Sequence, residues 1–475
     1  MTKRFSFFLV ALLLVLGISV TLVGCKPKEK AAQGITADSI IIGNTAATSG
    51  VFAGVGVPFN LAMEVVFDQY NASRAEGERK IVFKHYDDEF NGEKGLAFTR
   101  KLVEEDKVFA LVGHFGTNTV EATMDYLLES GVPMVYGVTG VNSLYFAQEK
   151  GNNILSVQPI YRTEGQILVA RALNEALFGA QQNAKLGATA KIVVLYSNDD
   201  AGNSMKLGVE DEVNAKGIGT RVVYLPFEAA TAAAVVTTAL SHNPGVILLA
   251  ANQAPATAAA TALRQNNSQV PVLTSYVNSA TVFTPAREQV ESKDGDGNVI
   301  KDANGNPVMV PVNLPYNVYA NAWVDIVDAT APAPTADQVG GDGTLAGFAF
   351  PLSYLPGYTA EYWEFVKLMN DSTRVSGETS AKALWANPYA MAGYVAAKTF
   401  VALLEKVEDF DHLSWKEFIK IAESAPIKLP LAGTIDWRDG KRHGLASLAL
   451  TKLSYSPTVS FVKVLPIESK EDIYK

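Results

Sequence analysis

Short runs rich in β-branched residues alternate with amphipathic stretches from Asp38 onward. Strand patterns fall at Ser39–Asn44, Lys80–Phe83, Val108–Gly113 and Val132–Tyr136. Helical stretches at Pro58–Asn71, Gly95–Glu105 and Thr119–Ser130 separate them. In the first helix Leu61, Ala62, Val65 and Val66 recur at helical spacing and define one apolar face. The pattern then restarts. Lys191–Tyr196, Arg221–Leu225, Gly245–Ala251 and Pro271–Tyr276 read as apolar strands, with helices near Gly202–Asn214, Ala230–Leu240 and Ala254–Asn266. Strands alternating with helices predict parallel sheets covered on both faces. Two successive series predict two Rossmann-like α/β lobes.

Two stretches break the alternation. Ser292–Pro311 contains Asp294-Gly295-Asp296-Gly297-Asn298 and Asn304-Gly305-Asn306-Pro307, which predict tight turns. A calcium loop would need Gly at its sixth position and Glu at its twelfth, where Val299 and Gly305 stand. Asp328–Thr344 is rich in Ala, Pro and Gly and reads as a loop. Helices are then expected around Glu361–Met369, Ala386–Val407 and Ser414–Glu423, and strands at Leu445–Thr451 and Thr458–Val464. No short-period repeat stands out.

The N-terminus follows another pattern. Lys3 and Arg4 precede an apolar run from Phe5 to Val23, which ends in Leu22-Val23-Gly24-Cys25. That is the layout of a bacterial secretory signal. Its last four residues resemble the lipobox of bacterial lipoproteins. The resemblance implies a signal peptide over 1–24, cleavage after Gly24, diacylation of the Cys25 sulfur and a polar tether over 25–37. An uncleaved membrane helix is the alternative, for which the apolar run is marginal in length. Cys25 is the sole cysteine, so lipidation leaves no thiol for disulfides or catalysis. Hydrophobic residues make up 48% of the chain and charged residues 19%, as in ordered globular proteins. Residues 1–24 hold two basic and no acidic residues, so the net charge of −9 becomes −11 for residues 25–475. That balance argues against nucleic acid as a partner.

Candidate chemistry gathers at strand ends. Thr48-Ser49-Gly50 follows the first strand, where helix N-termini favour anions and hydroxyls can donate to a carboxylate; a simple helix cap explains the stretch equally well. Gly113 to Thr119 (GHFGTNT) follows the third strand, with Asn118 and Glu121 at capping-box spacing and Thr117 aimed into the crevice. Gly137-Val138-Thr139-Gly140 follows the fourth. The five histidines show no pair at metal-ligand spacing, and His114 fits a packed core as well as a site. His85-Tyr86-Asp87-Asp88 reads as an exposed strand end rather than an acid–base pair. No nucleophile elbow, phosphate-binding loop or dinucleotide fingerprint occurs.

In this order the residues resemble substrate-binding lipoproteins of ABC transporters of the branched-chain amino acid type, the type I periplasmic binding proteins. The marks are Thr48-Ser49-Gly50-Val51-Phe52-Ala53 with Gly56, Tyr86-Asp87-Asp88, Lys101-Leu102-Val103, Val112-Gly113-His114, Gly131-Val132-Pro133-Met134 and Asp199-Asp200-Ala201-Gly202. The resemblance spans nearly all of the chain beyond Cys25. It implies two lobes joined by three crossovers, with 38–159 and 278–430 in one and 160–277 and 431–475 in the other. It implies Ser49, Thr117, Asn118, Val138, Thr139, Asp199, Asp200 and Gln253 as ligand-binding residues. Thr117 keeps the hydroxyl of the family's key serine. Gly140 falls where a threonine is usual, and Ala201 replaces the usual aromatic before Gly202. No acid near Ala251–Pro255 matches the one that pairs with a ligand ammonium in amino-acid binders. Burying an unpaired ammonium costs several kcal/mol, so either Asp199 or Asp200 takes that part or the ligand has no ammonium.

The expected function is a lipid-anchored extracytoplasmic receptor. It would capture an amino acid or other small carboxylate and pass it to ABC permease subunits, without cofactor, metal or catalysis. A sensor of the same fold, or an envelope hydrolase, are the rival classes.

Overall fold

The computed structural model describes residues 30–144, 149–179, 183–326, 357–455 and 459–475. The signal peptide, Cys25 and the loop predicted over 328–344 lie outside the described residues. Two sheets organise the chain. The first runs β2-β1-β3-β4-β5, all parallel. Its strands are β1 (Ser39–Ala46), β2 (Lys80–Asp87), β3 (Ala110–Phe115), β4 (Met134–Val138) and β5 (Ile154–Leu155). Helices α1 (Ala53–Ala72), α2 (Gly92–Glu104) and α3 (Thr117–Ser130) connect them.

The chain crosses to the second lobe through Ser156–Ile160 and enters α4 (Tyr161–Asn174). The second sheet runs β18-β17-β12-β9-β8-β6-β7. Its parallel part comprises β6 (Lys191–Ser197), β7 (Val222–Phe227), β8 (Pro244–Ala250), β9 (Val272–Thr274) and β12 (Val318–Ala322). Helices α5 (Asp200–Lys216), α6 (Ala232–Ser241) and α7 (Gln253–Gln265) connect the first four of these. The central strands β6 and β8 are buried on both faces, which is why they read as continuous apolar runs.

Between β9 and β12 the insertion forms an arm. Strands β10 (Gln289–Glu291) and β11 (Met309–Pro311) pair antiparallel at its base. Beyond them two tight hairpins close at Lys293–Val299 and Lys301–Pro307. In each, an aspartate caps the turn: Asp294 Oδ1 accepts from the amides of Asp296 and Asn298, and Asp302 Oδ1 from those of Asn304 and Asn306. Lys293–Ile300 (KDGDGNVI) and Lys301–Val308 (KDANGNPV) are therefore two copies of one eight-residue unit, a short repeat that the strand–helix pattern obscures. Backbone hydrogen bonds join Ser292, Ile300 and Val308 in a closed triangle, at 2.7–2.8 Å.

After β12 the chain returns to the first lobe, where Trp323 enters its core. There α8 (Ala360–Asp371), α9 (Pro388–Leu404) and α10 (Trp415–Ala422) pack, with small hairpins β13–β14 (Val375–Ser376, Thr379–Ser380) and β15–β16 (Ile427–Lys428, Thr434–Ile435). A third crossing precedes β17 (Ser447–Ser454) and β18 (Ser460–Ser469), which add antiparallel to each other at the sheet edge, followed by α11 (Lys470–Ile473).

This routing corrects the expected boundaries. Residues 278–322 belong with the second lobe rather than the first. β12 pairs with β9 and β17, and Phe283, Leu314 and Tyr316 fill the core beneath α7. Conversely, Leu431, Ile435 and Trp437 are buried in the first lobe's core, so the chain changes lobe after them rather than at 430. Each sheet carries helices on both faces. In the first lobe α1 and α9 cover one face and α2 and α3 the other; in the second, α6 and α7 cover one and α4 and α5 the other.

Candidate ligand-binding cleft

In both sheets the strand order reverses direction, between β1 and β3 in the first and between β6 and β8 in the second. Helices leave on opposite faces at such a point and open a crevice beyond the strands' carboxyl ends. The segments there are Ala47–Ser49 and Gly116–Thr117 in the first lobe, and Asn198–Asp200 and Ala251–Gln253 in the second.

In the first lobe a buried polar network holds the rim. The Asp88 carboxylate is fully buried and accepts from Thr45 Oγ1 (2.7 Å), Thr119 Oγ1 (2.8 Å) and Phe90 N (2.9 Å). It thus ties β1, the turn after β2 and the start of α3 together. This corrects the reading of His85–Asp88 as an exposed strand end. Burial lowers the His85 pKa to about 4, so the ring is neutral. Its Nε2 lies 3.0 Å from Thr48 Oγ1, and its Nδ1 lies 3.0 Å from both Asn44 Oδ1 and Asn60 Nδ2. Ser49 is exposed and bonds through its side chain to Asp87. Burial works to raise the Asp87 pKa. Bonds from the Ser49 hydroxyl and the Glu89, Thr48 and Ser49 amides outweigh it and leave the pKa below the ordinary value.

Helix α3 begins at Thr117, and its N-cap is Gly116, with φ +96° and no side chain to cap the first turn. A Cβ there would lie 2.7 Å from the Phe90 ring. Glycine therefore satisfies both the backbone and the close ring approach. Asn118 sits inside the helix, exposed, 3.4 Å from the Phe90 carbonyl, and so does not form the expected capping box with Glu121. Thr117 Oγ1 lies 2.9 Å from Thr139 Oγ1, which accepts from Val141 N. The Thr139 hydroxyl also bonds to the Tyr161 phenol of the second lobe, whose pKa burial raises to about 12. The Val138 carbonyl accepts from Gly116 N at 3.2 Å. Phe52 and Phe90 stack beside this point, with ring centroids 4.0 Å apart. His114 is buried against Thr123 in the core, away from the rim.

In the second lobe Asp199 is the N-cap of α5. Its Oδ1 accepts from Gly202 N (2.8 Å) and Ser197 Oγ (2.9 Å). A Cβ at Gly202 would lie 2.1 Å from the Ser197 carbonyl oxygen. Asp200 is exposed at the start of α5. Gln253 opens α7 and donates through Nε2 to Val277 O (3.3 Å) and to Tyr389 Oη (3.0 Å). Tyr389 belongs to α9 of the first lobe, so this bond spans the lobes. Asn142 N donates to Ser204 Oγ across the same gap at 3.4 Å. Neither Tyr389 nor the Phe52–Phe90 pair is signalled by sequence spacing; both arrive through folding.

At the hinge, Glu164 of α4 is fully buried. It accepts from Ser275 Oγ (2.7 Å), Tyr276 N (2.9 Å) and Asn321 Nδ2 (3.4 Å). Burial raises its pKa to about 7 despite those bonds. Tyr276 donates to Pro159 O at 2.6 Å and stacks on Tyr161, which clasps the first crossover to the second lobe. Among the described residues no group of three His, Cys, Asp or Glu side chains is placed to hold a metal.

A family model described as a periplasmic binding protein matches residues 39–297. The chain belongs to this family. No curated protein matches it in sequence. Among solved structures, this periplasmic binding protein resembles a fatty acid ABC transporter substrate-binding protein from Thermomonospora curvata, with a TM-score of 0.65 at 16% identity over 94% of this chain and 96% of the other. A leucine binding protein from Thermotoga maritima aligns with a TM-score of 0.58 at 13% identity, over 90% and 99% of the two chains. A solute binding protein from R. palustris, solved with 4-hydroxybenzoate, aligns with 0.60 at 14%, over 92% and 98%. At these identities the likeness is one of fold: two lobes of the type I periplasmic binding architecture. The family and these neighbours are binding proteins rather than enzymes, and membership points to an extracytoplasmic setting. No described helix is long and apolar enough to cross a membrane.

Proposed function

We propose that this protein is a lipid-anchored receptor that closes on a small carboxylate between its lobes and delivers it to an ABC importer. One observation carries the reading. Helix α3 starts at the switch point with no side-chain cap and no acid in its first turn, and Thr117 and Thr139 place hydroxyls beside it. Unsatisfied amides and the positive end of the helix dipole favour a carboxylate there. The Phe52–Phe90 stack supports an apolar body next to that group. Asp199 is engaged as a helix cap, which supports recognition led by the carboxylate rather than by an ammonium. The Leu22–Cys25 motif supports lipidation at Cys25, with a single anchored cysteine holding the protein to a membrane without spanning it. Selectivity then comes from closure, with no chemistry on the ligand.

The test is calorimetry of the purified protein with leucine, 4-hydroxybenzoate, medium-chain fatty acids and their amides. Saturable binding of an acid and none of its amide is expected. No saturable binding by any acid overturns the reading. Mass spectrometry of the native protein should find a diacylated Cys25 as its first residue.

A further inference from the structure

A hydrogen bond crosses the cleft directly from one lobe's side chain to the other's. Gln253 stands just beyond the end of β8, at the switch point of the second sheet, and Tyr389 lies in the first turn of α9. Gln253 Nε2 donates to Tyr389 Oη at 3.0 Å. Helix α9 runs beside α1 in the same direction. A Cβ at Gly393 would lie 2.1 Å from the Phe59 carbonyl oxygen, and further along Lys398 Nζ donates to Gln69 Oε1 at 2.8 Å. That register sets Tyr389 beside the first turn of α1, at the strand ends. The bond therefore lies in the crevice rather than at the crossovers.

Both ends are held within their own lobes. The Gln253 amide carries two hydrogens, and Nε2 also donates to Val277 O at 3.3 Å. Asn252 Oδ1 accepts from Gln253 N at 3.1 Å. Across the cleft, Asn387 Oδ1 accepts from Tyr389 N (2.9 Å) and Ala390 N (3.0 Å) and fixes the start of α9. A second bond between the lobes, from Asn142 N to Ser204 Oγ, lies on the other flank, where α3 and α5 cover the sheets.

We propose that Gln253 and Tyr389 are positioning residues that clasp the lobes shut and favour closure alike for every ligand. The bond joins protein to protein and needs no ligand atom, so it acts in the free protein too. Its two ends are already placed, and closing costs them little freedom. One neutral hydrogen bond of this kind shifts the closed-to-open ratio about fivefold. A ligand that binds the closed form gains apparent affinity from that shift, by a factor that does not depend on its identity.

The clasp rests on the two-lobe closure of the proposed function but not on the carboxylate, so it is tested first without ligand. Leu128 on α3 and Leu207 on α5 are exposed and serve as spin-label sites, as Leu128→Cys and Leu207→Cys in a Cys25→Ser background. Tyr389→Phe removes only the accepting oxygen and should lower the closed-to-open ratio about fivefold. Gln253→Leu should lower it at least as far, and the double variant no further than Gln253→Leu alone, because the two residues share one bond. An unchanged ratio in Tyr389→Phe, a double variant that loses the product of the two single effects, or a wild-type chain with no measurable closed population overturns the clasp. Should Gln253→Leu fold poorly by circular dichroism, Tyr389→Phe decides alone. Calorimetry then compares wild type and Tyr389→Phe across the acids that bind. One common loss, up to about fivefold, is expected. A loss confined to particular acids makes Tyr389 a ligand contact and overturns the clasp. Binding by no acid overturns the carboxylate reading and leaves the label distances to decide the clasp.

Discussion

Thr117 and Asp199 each stand where a strand hands over to a helix, yet their side chains do different work. Asp199 turns back onto Gly202 and Ser197 and completes its own helix. Thr117 has no such task, because the left-handed Gly116 precedes it and leaves the first turn of α3 uncapped. Its hydroxyl meets that of Thr139 across the rim instead. Thr117→Val should weaken acid binding at least tenfold, about 1.4 kcal/mol, as expected for a hydrogen bond to a charged group. Stability should fall by only about 1 kcal/mol. Calorimetry and thermal melts of the variant separate the two effects. Thr117 was legible as a small polar residue at a strand end. The placement of Asn118 was not, since the helix start depends on the backbone angle at Gly116. The Phe52–Phe90 stack depends likewise on two successive left-handed residues, Glu89 and Phe90, which carry no local signal.

At the scale of elements, periodicity located most strands and helices to within a few residues. It failed at α4, where Ile167–Ala172 are all buried and the charged Glu164 and Arg171 are buried with them, so apolar and polar positions do not divide into two faces. It also failed at β12, five residues that become a strand by pairing with β9 and β17. The arm between β9 and β12 is a self-contained element. Its two hairpins satisfy their own backbone and leave Ile300, Met309 and Val310 exposed. Replacing Ser292–Val308 with Asn-Gly would close β10 and β11 through a two-residue turn, at the existing Glu291–Met309 pair. The melting temperature should shift by no more than about 1 °C, which is about 1 kcal/mol for a chain of this size. Binding across the acid panel should not change. A large loss of stability would mean that the arm supports the second lobe.

At the scale of the whole molecule, the hinge carries a buried acid. Glu164 joins α4 to the segment after β9 and to β12, with no cation among its hydrogen-bond partners. Its pKa in the folded protein is about 7 against an ordinary 4.5. Between those values the folded chain keeps a proton that the unfolded chain has released. Folding is therefore favoured at the acid end of the window, and stability falls as pH rises to 7. Glu164→Gln keeps the hydrogen bonds, with the Ser275 hydroxyl reversed, and removes the ionisation. Relative to wild type it should gain about 2–3 kcal/mol at pH 8 and nothing at pH 4.5. Denaturant melts at both pH values measure this. A gain that is the same at both would assign the effect to packing.

The order of apolar runs by itself determined an α/β protein in two lobes with small polar groups at the strand ends, because strand and helix periods are local properties. Which lobe each later segment joins, which carboxylate becomes a helix cap, and which acid is buried at the hinge were decided only by the tertiary structure. Those outcomes depend on strand pairing and lobe contact between residues as distant as Gln253 and Tyr389, and no window of sequence contains both partners.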